Sequence, residues 1–463
     1  MSGGQPGRNR EVWDRGRESW KRLSPLTRRL LVFVPLATIA LNALIPHLPA
    51  QPRGVMTSLH YTRAWVTHVV RPAAHEDSWM PMRVAQAWLD EPRDALLYQE
   101  VFFRRGVKLQ YPPTSILWLD ALDALPGGPW TTNAVLNGLS WIAVLVTVLL
   151  SAWVLERGAR GPPDSSRDLP AAGPSRAGGL DRGLRVVLAL VAGLTFYPLV
   201  RGFYLGQVQT WIDALVAGVV LSWVLGRPAT SGALAGLVCL IKPQLGVLVV
   251  WGLLRGHRRF VAGWAIVAGA LGLVSIGMYG LANHLDYLEV LATIGRLGES
   301  FHPNQSVNGL VHRLLGNGNN REWLNAFPPF DARVYAATLA SSVLLLAAAL
   351  FWRRREAPVA PALDLAIVIV SVTLASPVAW THHYAVFLPL FALALPACLA
   401  AGVQRRGLLF ALAVSFLLIA NTYRVVNRLA DTPWGFLQSY VFFGGLLFLA
   451  LLYRLRATAA RPA

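Results

Sequence analysis

The amino-acid sequence predicts an all-α polytopic membrane protein with about ten full spans plus one broken helical hairpin that enters and leaves from the same side. Three observations predict it. Of the 463 residues, 54% are hydrophobic and only 14% are charged, against about 25% charged in a soluble domain. Several apolar runs approach the ~20 residues needed to cross a bilayer. Arginine and lysine collect between those runs, as they do where basic residues are retained at the cytoplasmic face.

Composition also excludes classes. The net charge of +18 comes from basic residues between apolar runs, with no RNA- or DNA-binding motif, so no nucleic-acid partner is expected. The two cysteines, Cys239 and Cys398, both fall in apolar runs. A disulfide framework is excluded by count, and each reads as a small buried hydrophobe. Arg far outnumbers Lys, and Ala, Gly and Pro are abundant, which fits a bacterial chain encoded by GC-rich DNA. The first 29 residues are polar and basic, and the apolar run after them lacks a small-residue cleavage site, so no signal peptide is expected.

Full spans are predicted at 29–46, 130–154, 184–202, 208–225, 260–281, 334–352, 363–379, 382–401, 407–422 and 435–453. The segment 230–254 is different. Arg227 on one side and Arg255, His257, Arg258 and Arg259 on the other all read as cytoplasmic. A single crossing would export one flank and invert every later loop, placing Arg353, Arg354, Arg355, Arg405 and Arg406 outside. Lys242-Pro243 supplies a break at the centre, because proline interrupts the helical ladder. Two half-helices of ~12 residues, each ~18 Å long, would reach past the midplane and return. Non-helical backbone is tolerated at that depth where it lines a cavity.

This topology makes 1–28 a basic cytoplasmic tail, 29–455 one transmembrane domain and 456–463 a cytoplasmic tail. The Arg-, Gly-, Pro- and Ser-rich stretch 156–183 reads as a flexible cytoplasmic linker. The segments 47–129, 282–333 and 421–434 become external loops, with a short re-entering helix at 113–124.

The residues able to carry chemistry sort to the external side. Asp77 reads either as a general base or as the N-cap of the helical run 79–89. Glu76 beside it could form a carboxylate pair. Lys242 is the sharpest residue: a lysine in an apolar segment faces a cavity or a partner, and the phosphate of a lipid carrier would suit it. The bland alternatives are snorkelling or a carboxylate pair. His382 and His383, at a helix start, could donate to a phosphate or a sugar hydroxyl, with one facing a pocket more readily than the other. Trp380 and Tyr384 flank them and could stack on a sugar face. Tyr111, Gln207, Gln209, Asn304 and Gln305 complete the polar set. No ligand cluster demands a metal, and no nucleotide motif or cofactor site is found.

These stretches carry a resemblance. The sequence resembles the bacterial polyprenol-phosphate-mannose-dependent mannosyltransferases of glycosyltransferase family 87, in the GT-C superfamily. It does so through Gln110-Tyr111-Pro112-Pro113, Gly206-Gln207-Val208-Gln209, Ile241-Lys242-Pro243, Arg255-Gly256-His257-Arg258-Arg259, Asn304-Gln305-Ser306 and Ser376 through Tyr384. The last stretch is the most specific. The resemblance implies a GT-C-like fold, a catalytic carboxylate in the first external loop at Asp77, and a polyprenyl-phosphate sugar donor. Donor phosphate would lie near Lys242, His382 and His383. Glu76, Tyr111, Gln207, Gln209, Asn304, Gln305, Trp380 and Tyr384 would contact substrate. Two departures stand out: the family's Asp is usually followed four residues later by Tyr, where this chain has Pro81, and the first loop is extended.

The expected function is therefore a bacterial plasma-membrane hexosyltransferase. It would move a sugar, mannose by the family default, to a glycolipid or glycan hydroxyl on the extracytoplasmic side with inversion. A transferase using polyprenyl-phosphate arabinofuranose is the runner-up. A lipid or sugar transporter would instead need states accessible from both faces and no strict role for Asp77. A non-catalytic subunit would show no turnover and a stoichiometric partner.

Overall fold

The computed structural model describes residues 17–18, 20–47, 56–70, 75–91, 95–128, 130–159, 176–352 and 360–459. Their regular structure is helical. The one pairing of extended backbone among them is an isolated antiparallel bridge between Asn304 and Trp380. Arg353, Arg354 and Arg355, which support the predicted orientation, lie outside the described residues, as does most of the 1–28 tail.

The chain opens with α1 (Pro25–His47), apolar and long enough to cross a membrane. Ser24 caps it, its hydroxyl accepting from the Thr27 amide. The first region expected to be an external loop is instead largely helical. It holds α2 (Ser58–Thr67), α3 (Trp79–Leu89) and α4 (Leu117–Asp123). Buried Tyr61, Trp65, Trp79, Met82 and Trp88 line the inward faces of α2 and α3, which gives these short helices the apolar contact a loop lacks. The short helix expected at 113–124 is present as a turn at Pro113–Ser115 followed by α4.

Next come α5 (Asn133–Ala159), α6 (Arg176–Leu194) and α7 (Tyr197–Tyr204). The expected linker at 156–183 is narrower than its composition suggests, because helix enters it from both sides; 160–175 lie outside the described residues. Glu156 explains the extension. It is buried, and both of its oxygens accept from the Arg185 guanidinium at 2.6 and 3.0 Å. Helices α6 and α7 meet at a 52° bend, where Pro198 starts the second helix.

After α8 (Gln209–Val224) the chain forms α9 (Pro228–Ile241), breaks at Lys242, and continues as a single turn (Pro243–Gly246) into α10 (Val247–Leu254). The two arms return the chain to the level it left. Trp223, before the hairpin, lies 5.2 Å from Trp251 and 4.8 Å from His257, after it. Small residues hold the hairpin to α11 (Arg258–Tyr279). A Cβ on Gly232 would meet the Phe260 carbonyl oxygen at 1.9 Å, and one on Gly263 would meet that of Ala229 at 2.1 Å. Such close approach between apolar helices is what glycine permits.

The remainder is α12 (Leu281–Leu297), α13 (Val307–Leu315), α14 (Ala332–Phe351), α15 (Ala360–Ala375), α16 (Thr381–Ala400), α17 (Gly402–Ala420) and α18 (Tyr440–Ala459). Here too an expected external loop, 282–333, contains two helices. Among the described residues seven helices are long and apolar enough to cross a membrane, or eight with the bent α6–α7 pair; α8, α9, α10 and α15 are shorter apolar helices. One end of the bundle is pinned by Asp364, which pairs with Arg255 at 2.6 Å and with Arg456. Both guanidiniums also cap carbonyls near the end of α14, at Leu350 and Trp352.

The hairpin makes a direct prediction about sidedness. With Cys239 and Cys398 replaced by alanine, single cysteines at Arg227 and His257 should react with an impermeant maleimide from the same side of sealed vesicles. Labelling from opposite sides would refute the return of the chain.

Candidate functional site

The site is built where the segment after α2 docks on the turn after α7. The amides of Asp77 and Ser78 donate to the carbonyls of Leu205 and Gly206, both at 3.1 Å. Gly206 has φ +69°, and a Cβ there would lie 2.2 Å from the His75 carbonyl oxygen, so both the backbone conformation and the close approach require glycine. His75 also stacks on Tyr204, with centroids 4.4 Å apart.

This docking places Asp77 beside Gln207, whose Nε2 donates to Oδ2 at 2.6 Å. The other end of Gln207 accepts from Ser78 Oγ at 2.8 Å. Ser78 Oγ in turn accepts from the Val208 amide at 3.1 Å and lies 2.8 Å from the Tyr111 hydroxyl. Ser78 itself is the N-cap residue of α3 and makes no side-chain cap bond. The N-cap reading of Asp77 is therefore set aside: its carboxylate faces open space and is held by Gln207.

That space is a cavity of about 1250 Å³. Asp77, Glu76, Tyr111, Gln207, Gln209, Lys242, Trp380, His382 and His383 all line it. Asp77 is open to the cavity, yet surrounding protein replaces much of its water. Burial pushes its carboxyl above the ordinary range, against the opposing effects of the Gln207 hydrogen bond, the Arg201 guanidinium and His75.

Lys242 enters from the hairpin tip. Its ammonium donates to Gln209 Oε1 at 2.9 Å, and Gln209 Nε2 donates to Asp213 Oδ1 at 2.8 Å. The fold brings a carboxylate that is distant in sequence toward Lys242. Asp213 stands one amide away, brought close because residues four apart share a helix face. It orients Gln209 but does not contact the ammonium, so two of the three ammonium protons stay available to the cavity. Asp213 is a charge inside the predicted span 208–225, the same signal that singled out Lys242.

Both histidines border the cavity, which corrects the expectation that one would face it more readily. They sit in tight single-turn geometry over Thr381–Val386, and their rings lie 4.8 Å apart and nearly perpendicular. His382 Nε2 is buried and bonds to no protein group among the described residues.

Three predicted substrate contacts fall outside this cavity. Asn304 donates to the carbonyls of Glu299 and Pro377 and accepts from the Ala379 amide. Gln305 donates to the carbonyls of His302 and Gln438 and accepts from the Phe442 amide. Tyr384, fully buried, donates to the Gln305 carbonyl. All three are spent on cross-bracing: the Asn304 and Tyr384 side chains join the stretch 299–306 to the stretch 377–384, and the Gln305 side chain ties it to Gln438 and Phe442. Glu76 borders the cavity but is drawn to Arg83 at 2.6 Å and Asn133 at 2.7 Å, away from a carboxylate pair with Asp77.

The sequence reading missed Arg201. It lines the cavity from α7 and donates to the Tyr61 hydroxyl at 2.6 Å. Its signal was the one used for Lys242, a charge within an apolar stretch. It also missed Trp323, which meets Trp380 edge-on at 5.4 Å. Lys108 lies over Trp323 at 4.1 Å and pairs with Glu299 at 3.3 Å. Together these form an aromatic wall with a cation behind it at the cavity rim. No group of three His, Cys, Asp or Glu side chains positioned for a metal occurs among the described residues.

The family model for glycosyltransferase family 87 matches residues 109–377, more than half of the chain. A polyprenol-phosphate-mannose-dependent alpha-(1-2)-phosphatidylinositol mannoside mannosyltransferase of Mycobacterium tuberculosis is 25% identical over 315 residues. The overlap spans 66% of this chain and 66% of that protein, just under two thirds of its length. The matched family region contains Tyr111, Gln207, Gln209 and Lys242, while Asp77, His382 and His383 lie just beyond its ends.

The Asp77–Gln207 contact predicts a titration. In difference infrared spectra, the protonated carboxyl band that disappears in Asp77→Asn should persist to higher pH than for an ordinary aspartate. Because the Gln207 hydrogen bond favours the carboxylate, Gln207→Leu should move that titration higher still. A band that titrates in the ordinary range, or that moves lower in Gln207→Leu, would contradict the geometry.

Proposed function

Because the chain belongs to glycosyltransferase family 87, we propose that it transfers a sugar from a polyprenyl-phosphate donor to an acceptor hydroxyl in the cavity that Asp77 and Lys242 share. The single observation that carries this reading is that one 1250 Å³ space joins the carboxylate to the ammonium and both histidines. Mannose is the sugar that the Mycobacterium tuberculosis relative transfers, and it is the sugar proposed here. A glycolipid or glycan supplies the hydroxyl.

In this mechanism Asp77 takes the proton of the acceptor hydroxyl, whose oxygen attacks the anomeric carbon. The bond from that carbon to the phosphate oxygen breaks, and the phosphate leaves with the electron pair. Attack opposite the leaving group inverts the anomeric centre. Gln207 fixes Asp77 through its amide, and Ser78 fixes Gln207, so the base is held before substrate arrives. Lys242 faces the charge that develops on the leaving phosphate, with His382 as a neighbouring hydrogen-bond donor. Trp380 and Trp323 offer a stacking face for the sugar.

The same reading proposes a topology. Counting α8, α15 and the bent α6–α7 pair as crossings along with the seven long helices gives ten, and the hairpin at Lys242 does not cross. Each of α8 and α15 has 16 residues, about 24 Å of helix, slightly short of a ~30 Å hydrocarbon core. Both termini and the Arg255 end then face the cytoplasm of a bacterial cell membrane, and the cavity faces the opposite side.

The test is transfer of radiolabelled mannose from polyprenyl phosphate by the full-length protein in membranes, with polyprenyl-phosphate arabinofuranose as a parallel donor. Asp77→Asn should lower kcat by roughly 10²–10⁴-fold while the protein stays folded. Lys242→Met should raise the donor KM and lower kcat together, because it touches the phosphate in both the ground and transition states. Normal turnover by Asp77→Asn would end the proposed role of this carboxylate. Transfer from the arabinofuranose donor alone would replace mannose.

A further inference from the structure

A second chamber of about 250 Å³ lies beside the main cavity. The two share four wall residues, Arg201, Phe301, Pro303 and Thr381. Arg201 is the one charged member of that wall, so its guanidinium stands between the two spaces. On its far side the chamber is polar and basic, bordered by Arg424, Arg321, His302, Asn427 and the tyrosines at 423 and 440. Among the described residues no carboxylate borders it.

The cations of this chamber are unevenly satisfied. Arg321 pairs with Asp431 at 2.9 Å on the exposed side. Arg201 bonds to the neutral Tyr61 hydroxyl. Among the described residues, neither Arg201 nor Arg424 pairs with a carboxylate. His302 is fixed as a neutral ring between the Asn320 carbonyl at Nδ1 and the Asn427 amide nitrogen at Nε2, both at 3.2 Å. Its pKa is pushed down to about 3, first by burial and then by the positive field of Arg313, with Arg201 and Arg424 adding to it. Two arginines that border a polar space, neither paired with a carboxylate among the described residues, supply an anion seat, and guanidinium geometry matches phosphate oxygens two at a time.

We propose that this chamber seats the phosphate ester of an anionic acceptor, held by Arg424 and Arg201, while a hydroxyl of the same molecule reaches past Arg201 to Asp77. The acceptor role rests on the transfer reading above; the phosphate seat does not. The shared wall supplies the specificity. An acceptor with its phosphate on one side of Arg201 is positioned with its hydroxyl on the other, whereas a neutral glycan gains nothing from the chamber. Donor phosphate at Lys242 and acceptor phosphate at Arg424 would occupy different spaces, with Arg201 screening their mutual repulsion.

The experiment measures binding to the full-length protein in a neutral detergent by titration calorimetry. The probes are phosphatidylinositol as a lipid-borne phosphate ester, inositol 1-phosphate as a soluble one, and polyprenyl phosphate for the main cavity. Arg424→Gln should weaken whichever inositol probe binds by roughly tenfold or more, the worth of a charged hydrogen bond, and leave polyprenyl phosphate unchanged. Arg424→Lys should recover part of the loss, which excludes a folding defect. Lys242→Met should show the reverse pattern. The two inositol arms tell a lipid headgroup from a free phosphate ester. Equal binding of both inositol probes by Arg424→Gln and the unaltered protein would overturn the seat, as would their loss in Lys242→Met. Failure of polyprenyl phosphate to bind would count against the donor reading alone, because the Arg424 comparison decides the seat independently.

Discussion

The site depends on two backbone hydrogen bonds, from the amides of Asp77 and Ser78 to the carbonyls of Leu205 and Gly206. They tie a segment with little secondary structure of its own to the rigid turn between α7 and α8. Everything that positions the carboxylate follows from them. Gln207 can reach Asp77 only because Asp77 lies against its own turn, and Ser78 can hold Gln207 only because both are in register. The contact tolerates no side chain at Gly206, where a Cβ would strike the His75 carbonyl. A base placed this way is preorganised by the main chain rather than by a salt bridge. That leaves it without a direct ion pair and available for proton transfer.

The opposing element, the hairpin at Lys242, meets the constraint that backbone groups inside a membrane must find partners. Its two arms satisfy most of their own groups. At the tip the Lys242 amide donates to the Val238 carbonyl and the Leu245 amide to the Lys242 carbonyl. The Leu240 carbonyl, left without its helical partner by the break at Lys242, accepts from the Thr114 hydroxyl. The turn before α4 thus closes the hairpin tip from the other end of the bundle. A single stretch, 108–115, then serves three ends: Lys108 backs the aromatic wall, Tyr111 joins the Asp77 network, and Thr114 caps the break.

Much of this was legible in the sequence, for definite reasons. Membrane helices announce themselves by length and hydropathy, and Lys242-Pro243 combined a charge with a helix breaker, two departures from apolar helix at one place. Asp77, Lys242 and the histidine pair were found as polar residues where polarity is costly. What stayed hidden has an equally physical cause. Within 47–129 and 282–333 the helices α2, α12 and α13 were not expected; they form because the bundle covers one face of each, which no local window can show. Asp213 and Arg201 carried the same signal as Lys242, but each sits near the end of a predicted span, where a charge reads as interfacial. Asn304, Gln305 and Tyr384 were read as substrate contacts because they are polar and cluster with Trp380. Only the three-dimensional packing of 299–306 against 377–384 and 438–442 reveals that they spend their hydrogen bonds on backbone groups.

That cross-bracing has a consequence for the chemistry. His382 and His383 lie in a tight turn whose start is held by the Thr381 amide on the Pro303 carbonyl, while the Gln305 amide bonds to the Ala379 carbonyl just before it. These two backbone bonds fasten the 3-10 segment Thr381–Val386, which carries both rings, to the stretch 303–305. The buried amides at 304 and 305 therefore fix two imidazoles on one wall, opposite the hairpin that brings Lys242. Asp77, Lys242 and His382, each with hydrogen-bonding capacity that the protein leaves unused, border the space where a substrate would lie.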